Sequence, residues 1–276
     1  MRAVHVNGFT YGPLTPLLAY FMSFLGSAIG LQSASRARVA VGSSRYRWLA
    51  MAALAIGGTA IWVMHFIAML GFTVPGADIR YDPLLTVISL AVAVLIVAAG
   101  LALAVRRAGS ANSLLLGGLI TGSGVAGMHY LGMAAMHMAP SMHFDVKLVL
   151  ASEVVAVAAA TAALWFALNV RGLAATIGAA GIMGVAVTGM HYVGMAALHV
   201  TATAATDPAG WMPGMPVTAE AAGGGMSAAQ LLTPLVIGIS VTTTVMLLVV
   251  AMAPTEHELR EEQRAAQMSL ALRSRR

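Results

Sequence analysis

Residues 127–144 read GMHYLGMAAMHMAPSMHF, with five methionines and three histidines in eighteen positions. Thioether and imidazole groups are metal ligands, but methionine is equally a flexible filler of apolar gaps. These residues either pack a membrane helix or hold an ion. The chain contains no cysteine, which removes disulfides, thiolate zinc sites, iron–sulfur clusters and thiol nucleophiles together. Any metal must then be held by His, Met or carboxylates.

The pattern recurs. Met64-His65-Phe66-Ile67-Ala68-Met69, Met128-His129-Tyr130-Leu131-Gly132-Met133 and Met190-His191-Tyr192-Val193-Gly194-Met195 share one motif at a period of 62 to 64 residues. That period is one helical hairpin, so an internal-repeat membrane fold is expected. On a helix, a His and the Met four residues later share a face. His129, Met133 and Met136 form one stripe; His191 and Met195 repeat it with Leu198 in third place, and His65 and Met69 with Phe72. If the stripes converge, three imidazoles and three thioethers surround one point. Met128 and Met190 point about 100° from their adjacent histidines, so they and Met64 are weaker candidates.

The elements that must position these groups are membrane helices. The chain is 59% hydrophobic and 9% charged, against about 25% charged in a soluble domain. Its mean hydropathy is +0.85. Seven stretches approach the roughly 20 apolar residues of a span: 14–32, 48–72, 83–105, 113–138, 147–169, 173–200 and 231–253. The expected fold is all-α: a polytopic membrane protein of seven transmembrane helices, three helical-hairpin repeats plus a seventh helix. It occupies 10–253, with a short cytoplasmic helical tail at 254–276. Asp82-Pro83 supplies an N-cap before proline, and Asn112 and Ser113 can open the fourth span. Gly118 and Gly122 are spaced for close helix approach. Thr255 and Glu258 form a capping box at the start of the tail.

Charge placement gives direction. A sequence pI near 10.1 is of the kind nucleic-acid binders have, but fourteen arginines and Lys147 sit in loops and the tail with no aromatic stripe. They read as topology determinants beside membrane lipid. Twelve of these fifteen fall on one side, which puts the N-terminus outside and the C-terminus in the cytoplasm of the inner membrane. The three motif histidines then lie roughly 10–14 Å below the outer surface at 1.5 Å per helical residue. The basic cluster follows the first apolar run, so that run reads as a permanent helix and not as a signal peptide.

The three motifs, on even-numbered helices of seven spans, closely resemble the MHYT domain, an integral-membrane bacterial sensor module, over roughly 10–253. The resemblance implies copper bound by motif His and Met residues near the outer face, and sensing of a diatomic gas such as oxygen, carbon monoxide or nitric oxide. Carried onto this sequence it implicates Met64, His65 and Met69, then Met128, His129 and Met133, then Met190, His191 and Met195. The sequence departs from the motif at its fourth letter (Ile67, Leu131, Val193) and at Phe66, where the family has tyrosine. Relatives of the family often continue into cyclic-dinucleotide or kinase domains, so a 23-residue tail implies a separate output partner.

Chemistry favours copper independently, since thioethers suit Cu(I) and imidazole accepts either oxidation state. Glu153, an ionisable group inside the fifth span, is a functional candidate by position, for charge balance or as a hydrogen-bond acceptor behind a ligand imidazole. Tyr130 and Tyr192 read as hydrogen-bonding structure. His137, His199, Met138, Met142 and His143 form an outer rim that either passes an ion inward or decorates the interface. The long outer loop 201–230, with WMPGMP at 211–216, has no assigned role, nor do His5 and His257. Copper transport and haem-based electron transfer are the alternative functions. A retinal receptor is excluded by the lack of a lysine in the seventh span. No nucleophile–base–acid constellation is present, so an enzyme is not expected.

Overall fold

The computed structural model describes residues 2–3, 8–106, 109–138, 141–202 and 225–273. The WMPGMP segment, His5, Arg107, Arg275 and Arg276 lie outside the described residues. Helix α1 spans Leu14–Val39. A continuous rod follows: α2 (Gly42–Ala53), a π-helical stretch (Leu54–Val63) and α3 (Met64–Met69). The remaining helices are α4 (Pro83–Arg106), α5 (Ala111–Ala134), α6 (Val146–Asn169), α7 (Leu173–Ala196), α8 (Ala228–Met252) and α9 (Glu256–Arg273).

Six of these are long and apolar enough to cross a membrane: α1, the Gly42–Met69 rod, α4, α5, α6 and α7. A seventh is reached only by counting Ile237–Met252 with Glu256–Ser269, two helices that meet at 43°. The six pack in a closed ring, α1 to the rod, the rod to α4, then α5, α6, α7 and back to α1. Helix α8 lies outside the ring against α1 and the π-helical stretch. The motif helices are every second member of the ring, so side chains on their inner faces share one axis.

Small residues set the close approaches. A Cβ on Gly57 would stand 2.6 Å from the Ala93 carbonyl of α4, and one on Gly122 would run into the Val157 backbone of α6. Gly118 faces Thr161 in the same way, so the Gly118/Gly122 pair works as its spacing predicts. Capping follows the sequence at Asp82, whose carboxylate accepts from Leu85 N at 2.9 Å, and at Thr255, whose backbone N–H donates to Glu258. It differs at α5. The N-cap is Ser110, accepting from Ser113 N, and not Asn112 or Ser113.

The all-α expectation needs correction at the motif end of the ring. The fourth and sixth spans stop at Ala134 and Ala196, several residues short of the expected 138 and 200. The chain beyond them forms two small antiparallel sheets. In one, β2 (Arg80–Tyr81) lies between β3 (Met136–His137) and β6 (Met226–Ser227). In the other, β5 (Leu198–Ala202) lies between β1 (Arg2–Ala3) and β4 (Ser141–Phe144). Met136 therefore sits on a strand, opposite Tyr81, and does not extend the His129–Met133 helical stripe.

At the opposite end, Arg36 and Arg38 belong to the last turn of α1 and not to a loop. Arg36 is buried. Its guanidinium donates to the carbonyls of Pro254 and Val250, each at 2.9 Å. Arg38 donates to Ala167 O at 2.7 Å and Val170 O at 2.8 Å, and pairs with Glu256 at 3.0 Å. These two arginines close the carbonyl ends of α8 and α6 and tie α9 to the bundle. That role exceeds topology determination.

Candidate metal centre

His65, His129 and His191 meet on the ring axis. Each is about 1% exposed. Their helices end four or five residues later, at Met69, Ala134 and Ala196, so the cluster lies roughly 6–8 Å below the helix ends at 1.5 Å per residue. This is shallower than the sequence implied, because the spans are shorter.

The Nδ1 atom of His65 stands 3.1 Å from Nδ1 of His191 and 3.1 Å from Nδ1 of His129. The three rings are mutually edge-on, with centroids 4.9 to 5.1 Å apart. A neutral imidazole carries one N–H, so one His65 nitrogen cannot make two good hydrogen bonds to like nitrogens. With Nδ1 unprotonated on all three rings, the converging nitrogens are an arrangement a cation satisfies. Two nitrogens bound to one ion at about 2.0 Å lie about 2.8–3.5 Å apart for bond angles between 90° and 120°. The observed 3.1 Å separations fall in that range, and the three histidines form a group whose ligand atoms all lie within 4.8 Å of one another.

The other ring nitrogens explain a feature the sequence left unread. Nε2 of all three histidines is buried without a hydrogen-bond partner among the described residues. A Cβ on Gly132 would stand 2.5 Å from Nε2 of His65, and one on Gly194 would meet Nε2 of His129 as tightly. These two imidazoles lie flush against the helix carrying the next motif, three residues past that motif's own histidine. Glycine at this position in two motifs was the available signal; Ala68 occupies it in the first.

Most of the motif methionines are buried in the same core. Met64, Met69, Met128, Met133, Met136 and Met190 are each at most 2% exposed, while Met195 is half-buried against the core. Met64 belongs to a separate small cluster with Ala19 and Ala68. Just beneath the histidines is an apolar cavity of about 40 Å³, lined by Ile61, Val125, Val187 and Met190 among others. Three of these residues stand four positions before the three histidines.

Other expected participants lie elsewhere. Glu153 accepts a short hydrogen bond from Ser123 on the side of α6 facing α5, so its bond goes to a hydroxyl and not to an imidazole. The Tyr130 hydroxyl bonds Ser152 at 2.7 Å. The Tyr192 ring stacks on Phe9 at 5.5 Å, and its buried hydroxyl has no partner among the described residues. Phe66, at the first motif's tyrosine position, sits between Trp62 and Tyr81. Burial pushes the Tyr81 hydroxyl up to about 12, so it stays neutral.

The rim group divides. His137 is opposite Arg80 in one sheet, whereas His143 is opposite His199 in the other. Met138 and Met142 are half-buried against the core. His257 pairs with Glu261 on α9.

Comparison with known proteins identifies a family for the chain. Residues 58–117 and 122–180 match the MHYT family, described as a bacterial signalling protein N-terminal repeat. The third motif, at 190–195, lies beyond the matched stretches. The bifunctional diguanylate cyclase/cyclic di-GMP phosphodiesterase MucR of Pseudomonas aeruginosa is 39% identical over 193 residues, covering 68% of this chain and 28% of MucR. An uncharacterized signaling protein of Caulobacter vibrioides is 36% identical over 166 residues, 60% of this chain and 20% of that protein. The cyclic di-GMP phosphodiesterase NbdA of Pseudomonas aeruginosa is 31% identical over 236 residues, 78% of this chain and 29% of NbdA. The chain thus spans less than a third of the length of these relatives. No solved structure matches. A multi-pass membrane protein whose repeats match in this way belongs to the MHYT family of bacterial signalling proteins.

Proposed function

We propose that this chain is a non-enzymatic membrane sensor module whose His65–His129–His191 cluster binds copper. The observation that carries the reading is the convergence of three buried histidines, with Nδ1 of His65 3.1 Å from Nδ1 of both His129 and His191. A neutral nitrogen set amid methionines suits Cu(I), with Met69, Met133 and Met195 as the thioether candidates. Met64, Met128, Met190 and Met136 take packing roles around it. The module sits in the inner membrane with the histidine end outside. Helix α8 serves as a seventh span, and three hairpins form the repeat.

The ligand sensed is a diatomic gas on copper. The 40 Å³ cavity supports this, since apolar cavities stay dry and admit small apolar molecules. Binding would bias the packing of alternate ring members, and a separate partner would read that change at the arginine end. Transport gains less support, because the cavity below the cluster is lined by apolar side chains such as Val97 and Leu101 and offers no ligand path among the described residues. Haem ligation at the cluster gains none, because rings 5 Å apart leave no slot for a macrocycle.

The test is infrared spectroscopy of the Cu(I)-loaded protein under carbon monoxide. A single C–O stretch that disappears in His129→Ala and shifts in Val125→Phe supports the reading. A parent protein that binds copper but shows no C–O band removes the gas, and leaves only copper.

A further inference from the structure

The sheet β1–β5–β4 carries a second pair of ligand groups, apart from the buried cluster. In its register His143 stands directly opposite His199. Directly opposed residues of antiparallel strands project from the same face with Cβ atoms about 4.5–5.5 Å apart. Both histidines are exposed, so their rings can turn to a common point above the sheet without crossing packed side chains.

The tautomer of one of them is fixed. Nδ1 of His199 is 3.1 Å from the carbonyl oxygen of Ala197. A carbonyl only accepts, so Nδ1 carries the proton and Nε2 presents its lone pair outward. An Nδ1–H bond to a backbone carbonyl is the usual way a ligand imidazole is oriented for metal. His137 has a similar bond to Ala135. Its cross-strand neighbour, however, is the cationic Arg80, which opposes a second positive charge.

We infer that His143 and His199 form a surface site for a divalent transition-metal ion, Cu(II) or Zn(II), bound by two imidazoles with water completing the shell. Imidazole suits both metals, and among divalent ions copper binds such donors most tightly. Met142 does not take part. Successive side chains alternate across a strand, so Met142 lies on the other face, opposite Val200. The pair thus offers nitrogen alone. The site does not depend on the buried cluster's function. Strand β5 follows directly on α7, which carries His191, so the pair stands at the motif end of the ring.

The experiment uses tag-free full-length protein in detergent, titrated with Cu(II) and followed by electron paramagnetic resonance and by calorimetry with Zn(II). In a His129→Ala background, one equivalent of Cu(II) with nitrogen superhyperfine structure is expected. His143→Ala or His199→Ala should each weaken it at least tenfold, while His137→Ala leaves it unchanged. Circular dichroism of the same samples verifies folding, which surface substitutions preserve. Equal binding after His143→Ala and His199→Ala, or loss on His137→Ala alone, overturns the proposal. If copper is lost from the His129→Ala variant while circular dichroism is unchanged, no independent surface site exists.

Discussion

Gly132 and Gly194 bear the contacts that hold the histidine rings, so they give the sharpest residue-level tests. A methyl group at either must displace an imidazole or a helix, at the roughly 1–3 kcal/mol typical of an overpacked core. Gly132→Ala should lower the thermal midpoint and weaken copper binding together, measured on one sample by fluorescence melting and chelator competition. Unchanged copper affinity would show that the His65 ring is not held there. Met133→Leu nearly conserves volume, so it should weaken Cu(I) while leaving the melt almost unaltered. Ligand nitrogens must be deprotonated, so copper affinity should also fall as pH is lowered. The histidines were legible because the motif repeats. The glycines were legible in position only, since nothing in a sequence says whose ring lies against a given backbone. The partner of Glu153 was not legible, because depth in a span does not give the face, and its carboxylate turns toward Ser123.

Helices and their starts follow from local chemistry. Asp82→Ala should cost about 1 kcal/mol, the usual value of an N-cap, seen as a lower melting temperature. Gly122→Ala should cost more than the cap, because the added methyl meets backbone and not a movable side chain. A smaller loss from Gly122→Ala than from Asp82→Ala would contradict the close α5–α6 approach. At α9, the Thr255 backbone N–H and hydroxyl hold the Glu258 carboxyl below its usual range. The cap is therefore intact above the ordinary glutamate pKa and lost as pH falls through the lowered value, which circular dichroism of the helix can follow. Helix ends on the motif side were not legible. An apolar run such as Met133–Met138 suits a buried strand edge as well as a last helical turn, and the choice is made by pairing with Arg80–Tyr81, distant in sequence.

At the scale of the molecule, the ring order was hidden because lipid and core demand the same residue types. Leu95 and Leu115 face outward at 68% and 60% exposure, while Leu101 is buried at 1%, and between helices in lipid there is no hydrophobic force to sort them. The motif period suggested three equivalent helices, and alternate positions in a closed ring are the geometry that makes their histidines meet. Arg38 and Glu256 join α9 to the bundle. Arg38→Met should speed amide exchange across 256–273 without altering copper content, and unchanged exchange would break that link. The central claim is one ion shared by three helices. It is tested most directly by Cu(I) affinity, from chelator competition, of the parent and of His65→Ala, His129→Ala and His191→Ala. Each variant should lose at least about tenfold, or about 1.4 kcal/mol, and all three by similar factors. Titrations of all three variants that superimpose on the parent would contradict it.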